Sequence, residues 1–456
     1  MNVRGGSSYR GLRLRIASLC VMALCLFPLL GCGNPINGSG TPAAATTEAP
    51  TFSVADGCYY LDQSVKLSCS TSGASIYYTT DGITAPTASS TLYSDSAPIS
   101  VAGSGSAKTI QAIAVKSGMS DSAVASAAIS VRDLYMAGRN NNGWGKWTPY
   151  VWKNDTTTNL SMGSGGANAY AIGFSGSDIY AVGDSSGPGY WKNGSYTSLS
   201  LVGSGGTRGG AKAIAFSGGD VYMAGYSEVY GTYVDTACYW KNGVCNPLSG
   251  TNSWSRGIAI AGDGSAYCVG QMQVSGVWQP YYWKATSSTP GGTATALSAL
   301  GGSADAVAIS SGSVYIVGSV VNSSGVTVPC YWKDGARIDL SPERSFGGEA
   351  AALTFADGLL YIAGYTKDTA VNGEVPCYWK MAASTTRVDL PVGQPRGMTS
   401  GIAVSGGTVY VSGYYGPDID TAPAYPVPCF WRNGVRTNIP LGTQYAGMPT
   451  AIAFGN

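Results

Sequence analysis

The chain contains no histidine, so whatever chemistry it does rests on carboxylates, aromatic rings, cations and thiols. Ser-His-Asp and Cys-His nucleophilic pairs and histidine-based zinc sites are excluded, because each needs an imidazole as base or ligand. Paired carboxylates can cleave glycosides without one. Asp305, Glu343 and Glu349 are the candidates, because all three fall in stretches that reach one variable face of the repeat array described below. Aromatic rings can stack on sugars or anchor a protein partner. Four of the eleven tryptophans, Trp144, Trp147, Trp254 and Trp278, lie outside the repeated positions and map to that same face. Packing within the loops would account for them equally. Arg208 and Arg396 each stand six residues before an isoleucine, and Arg256 stands two before one, near the channel mouth. A ring of such groups can receive carboxylates; solvated surface charge is the plainer alternative.

Other motifs fail on context. Gly183-Asp184-Ser185-Ser186-Gly187 matches G-x-S-x-G, but a nucleophile elbow needs a strand-to-helix turn and a base. Gly143-Trp144-Gly145-Lys146 lacks the glycine spacing of a phosphate loop. Asp418 and Asp420 lack the twelve-residue calcium pattern, and no Cys-x-x-Cys occurs. No metal or cofactor is therefore expected. Charged residues make up 11% of the chain and balance to +1, which offers no basic footprint for nucleic acid.

The elements that position these residues come from a repeat. Trp152, Trp191, Trp240, Trp283, Trp332, Trp379 and Trp431 recur 39 to 52 residues apart. Periods of that size with strand-like content indicate propeller blades. Each copy reads as four strands. Strand a is small and apolar, as in Ala213-Ile214-Ala215-Phe216. Strand b carries Val-Tyr-x-Ala-Gly, as in Val221 to Gly225. Strand c carries the aromatic-Trp pair, and strand d follows an Asn-Gly turn. Asn-Gly between strands favours a tight hairpin, because both residues accept positive φ. The first strand b, from Asp133, has no strand a before it, while Ala451-Ile452-Ala453-Phe454 ends the chain without a strand b. The C-terminus is thus expected to supply strand a of the first blade, which removes the open edges. Short a–b and c–d turns leave the variety to the b–c and d–a connections, which share one face.

Gly401 to Gly413 resembles the NHL-type propeller repeat, and the Tyr-Trp-Lys-Asn-Gly portion is similar to repeats of uncharacterised bacterial surface proteins. Neither resemblance implies a ligand. Residues 50–131 alternate as short strands. Ile76 to Gly82, Thr84, Pro86, Thr87, Leu92-Tyr93 and Ala112 to Asp121 resemble the small β-sandwich at the C-terminus of chitobiases, where it is accessory to catalysis. That resemblance implies a spacer or a sugar-binding module.

Residues 1–31 read as an export signal. Arg4, Arg10, Arg13 and Arg15 precede an apolar run from Ile16 to Leu30, shorter than the roughly 20 residues of a spanning helix. Leu29-Leu30-Gly31-Cys32 resembles the bacterial lipoprotein box. The resemblance implies cleavage before Cys32, lipidation of its sulfur and, with Gly33 following, the outer membrane. Residues 32–49, poor in charge and rich in Gly, Ser, Thr, Pro and Ala, are expected to be a flexible tether. Export permits disulfides, and Cys58 with Cys69 is the expected pair. Cys238, Cys330, Cys377 and Cys429 share one repeat position, too far apart in separate blades to bridge, and are expected to be buried fillers.

The chain is thus expected to be all-β: a lipid anchor, a tether, a small Ig-like β-sandwich at 50–131 and a seven-bladed β-propeller at 132–456. The leading functional expectation is non-catalytic binding or adhesion at the cell envelope, to a glycan or an envelope protein. The alternatives are a histidine-free glycan-active enzyme and an envelope assembly scaffold.

Overall fold

Each copy of the repeat folds into one four-stranded antiparallel sheet, and there are seven of them. The computed structural model describes residues 45–141, 146–163, 165–202, 208–229, 234–248, 250, 252–340, 347–368, 373–393, 396–416, 426–441 and 446–455. Cys32, the signal, most of the tether, Trp144, Glu343, Asp418 and Asp420 lie outside them. No helix occurs among the described residues.

Blade 3 illustrates the plan: Gly209–Ser217, Asp220–Val229, Val234–Lys241 and Val244–Pro247 pair in sequence order. Blade 1 closes the ring. The C-terminal strand Ala446–Phe454 pairs with Leu134–Asn141, from Leu134 opposite Phe454 to Asn141 opposite Ala446. Successive a strands neighbour one another around the whole circle. The strand missing at one end of the array is therefore the strand left over at the other, as the sequence implies.

Two local devices fix each blade. The c–d turns at Asn193-Gly194, Asn242-Gly243, Asp334-Gly335 and Asn433-Gly434 hold both residues at positive φ. Each acidic or amide side chain also caps its own strand b. Asn193, Asn242 and Asn433 accept the amide protons of Ile179, Val221 and Val409 at 2.8–2.9 Å, and Asp334 accepts that of Val314 at 2.8 Å. Blade 4 departs from the plan. There strands b and c, Ala266–Val274 and Val277–Ala285, form a long hairpin about Ser275-Gly276, so its b–c connection is short.

The second device is the repeat tryptophan. All seven are at most 1% exposed. The indoles of Trp191, Trp240 and Trp431 donate to the carbonyls of Ser161, Ser200 and Pro391, which follow strand d of the preceding blade. Each ring thus fills the space between two blades, where truncating a buried Trp costs about 3–5 kcal/mol. Cys238, Cys330, Cys377 and Cys429 are fully buried free thiols beside them.

The sandwich packs Val65, Leu67, Ile76, Ile99, Val101, Ile110 and Ile129 into its own core. Residues 45–49 belong to it and not to the tether: Thr46 bridges to Ser120, and Thr47 is buried. The expected Cys58–Cys69 disulfide is not formed; both are free thiols. Cys58 lies on Gly57–Tyr59, which pairs with Ala125–Val131, whereas Cys69 follows Leu67–Ser68 of a different sheet and donates to the Glu48 carbonyl at 3.2 Å. Cys58 instead marks a seam with the propeller. Its amide donates to Thr408 Oγ1 at 2.9 Å, and its carbonyl accepts from Tyr410 at 3.0 Å and from Arg432 at 3.2 Å. Tyr60 inserts among Trp152, Tyr410 and Phe430, ring centroids 5.5–6.4 Å away. The sandwich is thus docked across blades 1 and 7, where the ring closes.

Candidate functional site at the channel mouth

Every a strand carries a β-bulge at the same place, and the bulges build the site. Pairing with strand b skips one residue in each blade: Thr450, Tyr170, Lys212, Arg256, Asp305, Ala351 and Ser400 in blades 1 to 7. A bulge re-aims the side chain it releases. All seven released residues are half-buried and line a single cavity of about 430 Å³ on the b–c/d–a face. Tyr226, Trp254, Ser255 and Glu349 complete its wall. The bulge also explains the repeat glycine at the end of Val-Tyr-x-Ala-Gly. A Cβ on Gly183, Gly225, Gly270, Gly318, Gly364 or Gly413 would collide with the carbonyl oxygen that the bulged strand drives against it. Only glycine admits that approach.

The charges are segregated. Lys212, Arg256, Asp305 and Glu349 fall in four successive blades, while Ala351, Ser400 and Thr450 form a small, uncharged arc. Arg256 pairs with Asp305 at 3.1 Å and reaches Gln271 at 3.3 Å, and Ser303 donates to Asp305 at 2.6 Å. Lys212 has no ion-pair partner among the described residues. Its ammonium lies 3.3 Å from the ring centroid of Tyr170 and 5.7 Å from that of Tyr226. Burial lowers its pKa to about 8; Asp184 opposes the shift, and Arg256 and Arg139 add to it. Burial raises the Glu349 carboxyl and Asp305 raises it further, against the hydrogen bond from Tyr365 and the charges of Arg256 and Lys367. Burial, then Asp184, raises the Tyr170 phenol.

An aromatic ladder runs up from this ring. Tyr226 lies 5.5 Å from Trp254 at 31°, and Trp254 lies 5.4 Å from Trp278 at 38°. The Trp254 indole is held by Asp235 at 2.7 Å.

Of the residues expected from sequence, Trp254, Arg256, Asp305 and Glu349 are brought together at the cavity, with Trp278 packed at a tilt against Trp254. Trp254 is on strand a, Ser253–Ile260, and Trp278 on strand c, Val277–Ala285. Trp147 opens strand c of blade 1 and packs under Arg139, 4.7 Å from its guanidinium, away from the cavity. The arginines do not form an open basic ring. Arg208 pairs with Glu228 and Arg396 with Glu374, each at 3.4 Å. Arg396 borders a separate cavity of about 220 Å³ with Met398, Tyr414 and Met448. Sequence reasoning missed Tyr170, Lys212 and Tyr226. For Tyr170 and Lys212 the signal was the one position, two before the strand-a isoleucine or its equivalent, where seven otherwise similar copies carry seven different residues; Tyr226, on strand b, carries no such signal.

Residues 54–126 match the family model of the chitobiase/beta-hexosaminidase C-terminal domain. No curated protein matches the chain. One similar solved structure is an exo-1,5-alpha-L-arabinanase from a bovine ruminal metagenomic library. It is 10% identical, with a TM-score of 0.30 over 50% of this chain and 98% of that one, a likeness too small to bear on activity. The chain thus carries, at 54–126, a stretch similar to the chitobiase/beta-hexosaminidase C-terminal domain, followed by seven four-stranded antiparallel sheets consistent with propeller blades.

Proposed function

We propose that this chain is an exported, lipid-anchored binding protein of the cell envelope, held at the outer membrane through Cys32, which takes a polyhydroxylated ligand in the mouth of its propeller channel. The observation that supports this reading most is the bulge ring. The copies agree wherever the scaffold is built and differ at the residue each turns into one shared cavity. A rigid scaffold with variety confined to one concave surface is the usual setting of a binding site. Glycan-array binding by the full-length protein in detergent, without turnover of the bound glycan, tests it. Binding should fall at least tenfold in Trp254→Ala. Metabolic labelling with a palmitate analogue, lost in Cys32→Ser, tests the anchor.

One observation favours a second reading, a carboxylate-based glycan-active enzyme. Asp305 is paired with Arg256 at 3.1 Å, while burial and then the charge of Asp305 push its neighbour Glu349 toward the neutral form. Two carboxyl groups with environments that differ in this way are what acid-assisted glycoside cleavage uses. Release of reducing ends from a bound glycan, abolished by Glu349→Gln, would establish this reading in place of the first.

A further inference from the structure

Resting on the binding reading, we propose that the channel-mouth ligand is an acidic sugar, a uronic or sialic acid residue with its carboxylate at Lys212 and its ring against the Trp254 ladder. Three features of the cavity converge on this class. The first is a cation without an ion pair among the described residues. Arg256 is already neutralised by Asp305 at 3.1 Å. Lys212 is half-buried between the rings of Tyr170 and Tyr226 and lacks an ion-pair partner among the described residues. The nearby acid Asp184 acts on Lys212 through its charge but forms no ion pair with it among the described residues, and is anchored by Asn168 at 2.7 Å. An ammonium in so desolvated a place gains most from an anion that enters the cavity with it.

The second feature is a stacking surface. Tyr226, Trp254 and Trp278 follow one another at 5.4–5.5 Å. Asp235 fixes the middle ring, so an apolar sugar face meets an ordered indole. The third is a set of hydroxyl partners around the rest of the ring: Asp305, Glu349, Ser400 and Thr450. Each already has a partner in the protein, as Asp305 has in Arg256 and Ser303 and Ser400 in Ser412, but keeps lone pairs that a sugar hydroxyl can meet and an aromatic carboxylate would leave unused. A neutral sugar would satisfy the last two and leave Lys212 without an anion. The cavity of about 430 Å³ lies within the usual range for small-ligand sites.

The test is calorimetric titration of the full-length protein with D-glucuronate, D-galacturonate and N-acetylneuraminate, beside D-glucose, D-galactose and benzoate. At least one acidic sugar should bind ten or more times tighter than every neutral sugar and than benzoate. Lys212→Met should bring the acidic sugar to the level of the neutral ones, with the thermal transition retained. Neutral sugars binding as tightly as the acidic ones would overturn the inference and leave the sugar-binding reading standing. Benzoate binding tightest would overturn it in favour of an aromatic acid. No binding of any probe would remove both. The wild-type comparison decides the matter even if the lysine variant does not fold.

Discussion

A Cβ on Gly270 would run into the carbonyl oxygen of Trp254, and this relationship ties the repeat to the site. The glycine is needed because the bulge pushes that carbonyl toward strand b. The same bulge turns Arg256 into the channel and places Trp254 beside it. Gly270→Ala should therefore cost about 1–3 kcal/mol, as over-packing against a fixed backbone does, and weaken ligand binding as well. Gly276→Ala is the control for a glycine: its Cβ would meet nothing within 4 Å, although its φ of +82 still strains an alanine. It should lower stability without affecting binding beyond that. Thermal unfolding and titration of both variants check this.

The sandwich should act as a clamp on the ring closure. Tyr60 fills the gap among Trp152, Tyr410 and Phe430, and Arg432 stacks on Tyr59 at 3.8 Å while donating to the Cys58 carbonyl. Losing most of the Tyr60 side chain should cost roughly 2 kcal/mol of apolar burial. Calorimetry of the wild type should give one transition for sandwich and propeller together, and Tyr60→Ala should separate them. Two independent transitions in the wild type would mean that the seam contributes nothing.

Lys212 sets a pH dependence with opposite signs for stability and binding. Its folded pKa is about 8 against 10.5 for the free side chain. Between those values the unfolded chain holds the extra proton, so this group's contribution to stability rises with pH across that window. Capture of an anion needs the ammonium, so affinity should fall as pH climbs through about 8. Lys212→Met should abolish the affinity change, read by titration at pH 6.5 and 9.

Cys58 and Cys69 should react independently. Cys69 is half-buried and Cys58 is buried at the seam. A maleimide label on the native protein should modify Cys69 ahead of Cys58, with no reductant required. Equal protection of both, relieved only by reduction, would restore the disulfide read from the sequence.

The fold was legible because a repeat states its architecture many times over. The tryptophan spacing, the Asn-Gly turns and the orphan strand from Ala451 to Phe454 each survive in the structure. The site was legible in part. Trp254, Arg256, Asp305 and Glu349 were assigned to one face from loop lengths, and the structure brings them to one cavity. Lys212 and Tyr170 were missed although they stand at the same bulged position as Arg256 and Asp305, because the position stands out only when the seven copies are aligned on their strand-a isoleucine or its equivalent. Trp147 was assigned to the same face, but its partner Arg139 comes from the neighbouring strand, which spacing does not reveal. The Cys58–Cys69 pairing failed for a related reason: proximity in sequence does not say which sheet a strand joins.

The most direct test of a ligand in the channel mouth is to fill it. Ala351 lies on the small, uncharged arc of the bulge ring, where a larger side chain would project into the cavity. Affinity for whichever glycan the wild-type protein binds should be measured by titration for Ala351→Trp, with folding confirmed by its thermal transition. The account predicts that binding disappears while the fold is kept. Undiminished binding in the folded variant would contradict it and move the ligand off the channel.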